Sequence, residues 1–113
     1  MQVRAVARNV PGSARKVRLL TDRISGLTVD EALALLRYAP SPHARTVSKV
    51  VLSAAANAEN NFNLDVDDLV VKSAFTDEGR TMRRFKPRSR GRVSPILKRS
   101  SHVTVVLDEQ GVS

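Results

Sequence analysis

The sequence predicts an α+β fold: helices packed on antiparallel strands, with a long basic β-hairpin protruding from them. Three observations carry this. Between residues 13 and 61, three segments repeat apolar side chains at helical spacing and are bounded by helix start and stop signals. Two runs rich in β-branched residues, LVVKSAF at 69–75 and HVTVVL at 102–107, have the length and composition of strands. Between those runs, residues 79–102 hold nine Lys and Arg and no carboxylate.

Residues 2–9, QVRAVARN, alternate Val3, Ala5 and Ala7 with Gln2, Arg4, Val6 and Arg8, the pattern of a strand with one apolar face. After Pro11 and Gly12, Ser13 is placed to cap a helix whose inner stripe is Val17, Leu20 and Ile24, with Gly26 positioned to end it. Thr28-Val29-Asp30-Glu31 is a capping box, and Val29, Ala32, Leu33 and Leu36 form the stripe of a second helix that Pro40 stops. Ser41-Pro42 repeats the start signal, with Ser as cap and Pro at the first helical position. Val47, Val50, Val51, Ala54, Ala55 and Ala58 then make one long stripe ending near Asn60-Asn61. Its small residues let a neighbour approach closely, which marks this as the central helix of the core. The two late strands, paired antiparallel as consecutive strands commonly are, turn the basic segment into a long hairpin arm over about residues 79–101. Arms of about ten residues at about 3.3 Å each would project roughly 30 Å.

With 113 residues, 42% of them hydrophobic, the chain has material for one modest core, so residues 1–113 are expected to form a single domain. It has no Cys, which excludes disulfides, thiolate zinc sites and a Cys nucleophile. MQVRAVARNV lacks the apolar run of a signal peptide, and no window reaches the roughly 18 apolar residues of a membrane span, so a cytoplasmic location is expected.

The net charge of +8 is segregated: residues 1–21 carry +5, residues 22–78 carry −4, residues 79–102 carry +9 and the last eleven −2. Two basic segments flanking an acidic body favour a polyanion as partner, because each phosphate neutralised releases condensed counterions. The candidate contacts are Arg8, Arg15, Lys16 and Arg18 in the first segment, and Arg80, Arg83, Arg84, Lys86, Arg88, Arg90, Arg92, Lys98 and Arg99 in the second. Arg outnumbers Lys seven to two in the arm, which suits bidentate phosphate contacts and stacking. No helix carries the charge as a DNA-reading helix would, and an extended arm fits irregular RNA, so RNA is the expected polyanion. Pro87, Gly91 and Pro95 break any membrane-lying helix over the same residues.

Other features read as ordinary structure. His43 and His102 could suggest acid–base RNA cleavage, but no spacing places them together, and each is expected to pack or hydrogen-bond. Asp65, Asp67 and Asp68 lack the Gly and distal Glu of a calcium loop and read as a solvated turn, so neither metal nor cofactor is expected. Arg37, Arg45 and Lys49 read as a solvated face or rim contacts, Phe62 and Phe75 as core, and Phe85 as a residue able to stack on a base.

ARKVRLL at 14–20, SAAANAENN at 53–61, DEG at 77–79, RRFKPRSRGR at 83–92 and ILKRSSHVTVV at 96–106 together resemble the bacterial large-subunit ribosomal protein twenty-two family, in order and over nearly the whole chain. The resemblance implies three helices on a three-stranded antiparallel sheet with a long β-hairpin. It also implies a non-enzymatic constituent of the large ribosomal subunit that binds its RNA, supports assembly and contacts neighbouring ribosomal proteins. Arg15, Lys16 and Arg18 match the family's basic helix start; Arg83, Arg84, Arg88, Arg90, Arg92, Lys98 and Arg99 match basic hairpin positions. By the same resemblance the hairpin tip lines the nascent-peptide exit tunnel and meets the nascent peptide, through Met82, Arg83, Arg84, Arg88, Ser89, Arg90, Gly91, Arg92 and Val93. Arg80 and Pro95 depart from the family's commoner residues, as do Pro11, Gly12 and Ala14 before Arg15. The alternative expectation is a free-standing basic RNA-binding or RNA-chaperone protein with the same field and no fixed address.

Overall fold

The computed structural model describes residues 2–87 and 93–109, with the stretches 82–87 and 93–97 described by their backbone alone. Three strands form one antiparallel sheet: β1 (Val3–Pro11), β2 (Leu69–Glu78) and β5 (Ser100–Glu109), in the order β1-β5-β2. Three helices, α1 (Ala14–Ile24), α2 (Val29–Tyr38) and α3 (Ala44–Phe62), contribute the other half of the core. This is the expected α+β arrangement, with the chain's last strand at its centre.

Alternation explains the sheet's inner face, and two bulges adjust it. In β1, Val3 is buried and Ala5 and Ala7 pack against the core, while Arg4, Val6 and Arg8 are exposed. A register shift between Ala7 and Val10, with Asn9 at φ 56°, then turns Val10 inward, where strict alternation would have placed it outward. In β2, Leu69 and Val71 are buried, and a second shift between Val71 and Ser73 hands the inner face to Ala74 and Thr76. Phe75, expected in the core, is therefore 41% exposed on the other face. Phe62, also expected in the core, is 43% exposed as the last residue of α3.

The helices follow their signals with two exceptions, the expected Ser13 cap, whose side chain makes no capping bond, and the start of α3. Val17, Leu20 and Ile24 of α1 are buried as expected, joined by Ala14 and Thr21, whose hydroxyl lies 3.0 Å from that of Thr76. Thr28 caps α2 by accepting the Glu31 N–H at 3.2 Å, and Val29, Ala32 and Leu36 are buried, with Leu33 half-buried beside them. In α3 every expected stripe residue is buried, and the helix packs against α1, α2, β1 and β5, the central position its alanines suggested. Its start, however, is Ala44 rather than Pro42. Ser41 forms a separate turn first, its hydroxyl accepting the His43 N–H at 3.3 Å and its carbonyl the Ala44 N–H at 3.2 Å. Asp65 caps the turn Val66–Asp68 through the Asp67 N–H at 3.1 Å, as a solvated turn does.

The outer edge of β2 is occupied by the end of α1 and the loop after it. Arg18 donates to the Thr76 carbonyl at 2.9 Å, Ser25 Oγ accepts the Ala74 N–H at 3.1 Å, and Gly26 donates to the Val71 carbonyl at 2.7 Å. These groups would otherwise present an open edge for pairing with another chain.

Beyond Glu78 the β2–β5 pair continues into a two-stranded ribbon, β3 (Met82–Pro87) with β4 (Val93–Lys98). Gly79 donates to the Ser100 carbonyl at 2.9 Å, and the next regular pair is Met82 with Lys98. The incoming arm thus advances three residues while the returning arm advances two, a bulge at Arg80-Thr81 opposite Arg99 that re-aims the ribbon. Gly79 is needed here for closeness: a Cβ would sit 2.7 Å from Ser100 Oγ and 3.1 Å from the Ser100 carbonyl carbon. The molecule measures 63 × 26 × 21 Å with a radius of gyration of 17.0 Å. A compact chain of this length would have about 13 Å, so the protruding hairpin expected from the sequence dominates the outline.

Candidate nucleic-acid interface

The two basic segments, separated by some sixty residues of acidic body, meet at the root of the hairpin. The meeting is made by backbone pairing. Because β1 lies beside β5, Pro11 pairs with Ser100, and Gly12 donates to the Arg99 carbonyl at 3.1 Å. The chain then turns at Gly12, φ +119°, directly into α1, so Arg15 and Lys16 emerge beside Arg99.

Two concavities flank this junction. A groove of about 770 Å³ is lined by Lys16, Arg80, Lys98 and Arg99, with Pro11 and His43 among its other walls. A smaller cavity of about 340 Å³ shares Arg99 with it and includes Arg15 and Glu78. At the start of α1 the Ser13 carbonyl accepts the N–H groups of Lys16 and Val17, both at 3.2 Å. Ser13, expected to cap this helix, makes no side-chain bond to it, so first-turn amides remain able to attract an anion. Among the described residues, no carboxylate pairs with Lys16, Arg80, Lys98 or Arg99. Such an uncompensated cluster costs little in water and gains much from a polyanion that replaces its counterions.

The other expected contacts divide. Arg8 is exposed on β1, apart from the groove lining. Arg18 is anchored by its bond to Thr76, with the rest of its guanidinium fork still available. Arg83, Arg84 and Lys86 occupy β3 opposite Leu97, Ile96 and Ser94, and Met82 and Val93 mark the two ends of the ladder. Arg88, Ser89, Arg90, Gly91 and Arg92, the expected tip, lie outside the described residues. Arg37, Arg45 and Lys49 are exposed, and Arg37 sits 5.8 Å above the Tyr38 ring.

Both histidines have structural work. His102 Nδ1 accepts the Asn9 N–H at 3.1 Å, which satisfies the amide freed by the β1 bulge. The His43 ring lies against Gly12, whose missing Cβ makes room for it. Sequence reasoning did not place His43, Pro11 or Gly12 at the basic junction. The one available signal was Pro-Gly immediately before a basic helix start, which forces a turn there.

The chain matches the family model described as "Ribosomal protein L22p/L17e" over residues 5–108. A curated relative named "Large ribosomal subunit protein uL22" from Dehalococcoides mccartyi strain BAV1 is 53% identical over 107 residues, covering 95% of this chain and 98% of that protein. A protein of the same name from Clostridium novyi strain NT is 51% identical over 110 residues, covering 97% of this chain and 99% of its own.

Proposed function

The chain belongs to the ribosomal protein L22p/L17e family, and from that premise we propose that it is a structural constituent of the large ribosomal subunit. Residues 1–113 act as one RNA-binding domain. The single observation that carries the reading is the convergence of Lys16 with Arg80, Lys98 and Arg99 at the root of a ribbon that projects from the core. The core holds that root rigidly, and phosphate contacts there set the position and direction of the arm. Sequence-independent phosphate contacts with recognition of RNA shape are sufficient for this role. The arm's arginines continue the same neutralisation along the ribbon and support assembly by tying RNA segments together. Met82 to Arg84 and the tip line the exit tunnel and meet the nascent peptide. The role is architectural rather than catalytic, neighbouring large-subunit proteins are further partners, and the place of work is the ribosome in the cytoplasm.

The test is sedimentation of the tagged chain through a sucrose gradient at moderately high salt, beside a variant with residues 81–97 replaced by a short Gly-Ser turn. The expected result is stoichiometric co-migration of the intact chain with the large subunit and weakened retention of the variant. Migration of the intact chain in free fractions would favour the free-standing RNA-binding alternative. Photocrosslinking from a stalled nascent chain to the arm tests the tunnel assignment separately.

A further inference from the structure

The groove at the hairpin root has a shape and a wall that plain phosphate binding does not use. At about 770 Å³ this solvent-open groove has the size, roughly 300–1,000 Å³, of sites that accept a small organic molecule. One phosphate would leave most of it empty.

Its cations come from separate parts of the chain: Lys16 from α1, Arg80 from the bulge after β2, and Lys98 and Arg99 from the β4–β5 junction. Among the described residues no acid lines it; Glu78 lines the smaller cavity that shares Arg99. Pro11 and the half-buried His43 line the same groove. The edge of the His43 imidazole approaches Gly12, where a side chain would have displaced it. Its backbone is fixed, with the N–H on Ser41 Oγ at 3.3 Å and the carbonyl accepting the Val47 N–H at 3.1 Å. An aromatic ring that lines the same groove as a cluster of cations suits a ligand with a π-face at one end and an anion at the other. Unpaired RNA is read in this way, by splaying out a base and stacking it on an aromatic or guanidinium plane.

We infer that the groove receives one unstacked nucleotide of the RNA, its base laid against His43 and Pro11 and its phosphate held among Lys16, Lys98 and Arg99. The inference rests on the reading that this chain binds large-subunit RNA, and it adds a defined nucleotide subsite to that reading.

Large subunits assembled with the full-length chain, with His43→Ala, with His43→Phe and with Lys16→Gln would be purified and their RNA mapped by base-specific chemical probing. The expected result is one unpaired nucleotide that is protected with the native chain and with His43→Phe. It becomes at least about fivefold more reactive with His43→Ala, the lower end of what base–aromatic stacking contributes. Lys16→Gln, which leaves the His43 wall in place, should raise the reactivity of the same nucleotide. If all variants enter the subunit and no single unpaired nucleotide responds, the subsite is overturned while the ribosomal reading stands. Changes confined to base-paired positions would equally overturn it, as they describe a duplex lying across the mouth. If the native chain itself fails to join the subunit, the underlying reading falls and the subsite with it.

Discussion

Replacing Gly12 with Ala perturbs the hairpin root at its tightest point. Gly12 has φ +119°, and a Cβ built there lies 3.0 Å from His43 Nδ1 and within clashing distance of Cε1. A non-glycine residue held in such a backbone region costs about 1–3 kcal/mol. Forcing a methyl into an occupied contact costs about 1–3 kcal/mol more, so Gly12→Ala should destabilise by about 2–6 kcal/mol in total. His43→Ala alone removes a half-buried ring and should cost about 1 kcal/mol. In the His43→Ala background the obstructing ring is gone, so Gly12→Ala should cost only the backbone part. The double variant is then less destabilised than the sum of the singles, with a coupling of about 1–3 kcal/mol. Urea unfolding of the four proteins, followed by circular dichroism, measures this. Thermal melts give a second reading, at about 4 °C per kcal/mol for a chain of this size. A coupling of zero, or a Gly12→Ala cost below about 0.5 kcal/mol, would refute the account of how the ring packs on the turn.

Thr28→Ala removes the hydroxyl that accepts the Glu31 N–H and should cost about 1 kcal/mol in the same unfolding assay, with no change in RNA binding. The Glu109 N–H at 2.8 Å, together with the Lys72 ammonium at 3.7 Å, holds the Asp108 carboxyl below its ordinary value of 3.8. A lowered folded value means stability that is present above about pH 4 and lost as pH falls through the folded value. The native chain's stability advantage over Asp108→Asn should therefore shrink on acidification below about pH 4; a gap constant from pH 5 to pH 2 would contradict this. Lys16→Gln, measured by filter binding to large-subunit RNA over a salt series, should lower the slope of log K against log salt by a little under 1, as loss of one phosphate contact does. An unchanged slope would remove Lys16 from the interface.

Much of the fold was legible because its signals are local. The Thr28 cap, the stripe from Val47 to Ala58 and the β-branched runs each depend on neighbours within a few residues, and each formed; of the capping box only the Thr28 half is made, its hydroxyl accepting the Glu31 N–H. The errors had more than one source, tertiary pairing that changes the phase of a strand and a local turn that competes with a helix start. The bulge after Val71 sent Phe75 to the exposed face, although every residue around it spells an ordinary strand. Ser41-Pro42 spelled a helix start, but Ser41 closed its own turn and displaced the helix to Ala44. Charge gave the partner class, and the quoted motifs gave the family, without any of these details.

What the sequence determined by itself is the material of the interface: which helices form, that two stretches are basic, and that the second must run outside the core. What only the tertiary structure decided is that Lys16 and Arg99, eighty-three positions apart, share one groove with His43. That proximity comes from the β1-β5-β2 order and the Gly12 bond to Arg99, which are hydrogen bonds between distant backbones. A backbone hydrogen bond leaves almost no trace in side-chain pattern, so the groove became visible only when the strands were laid side by side.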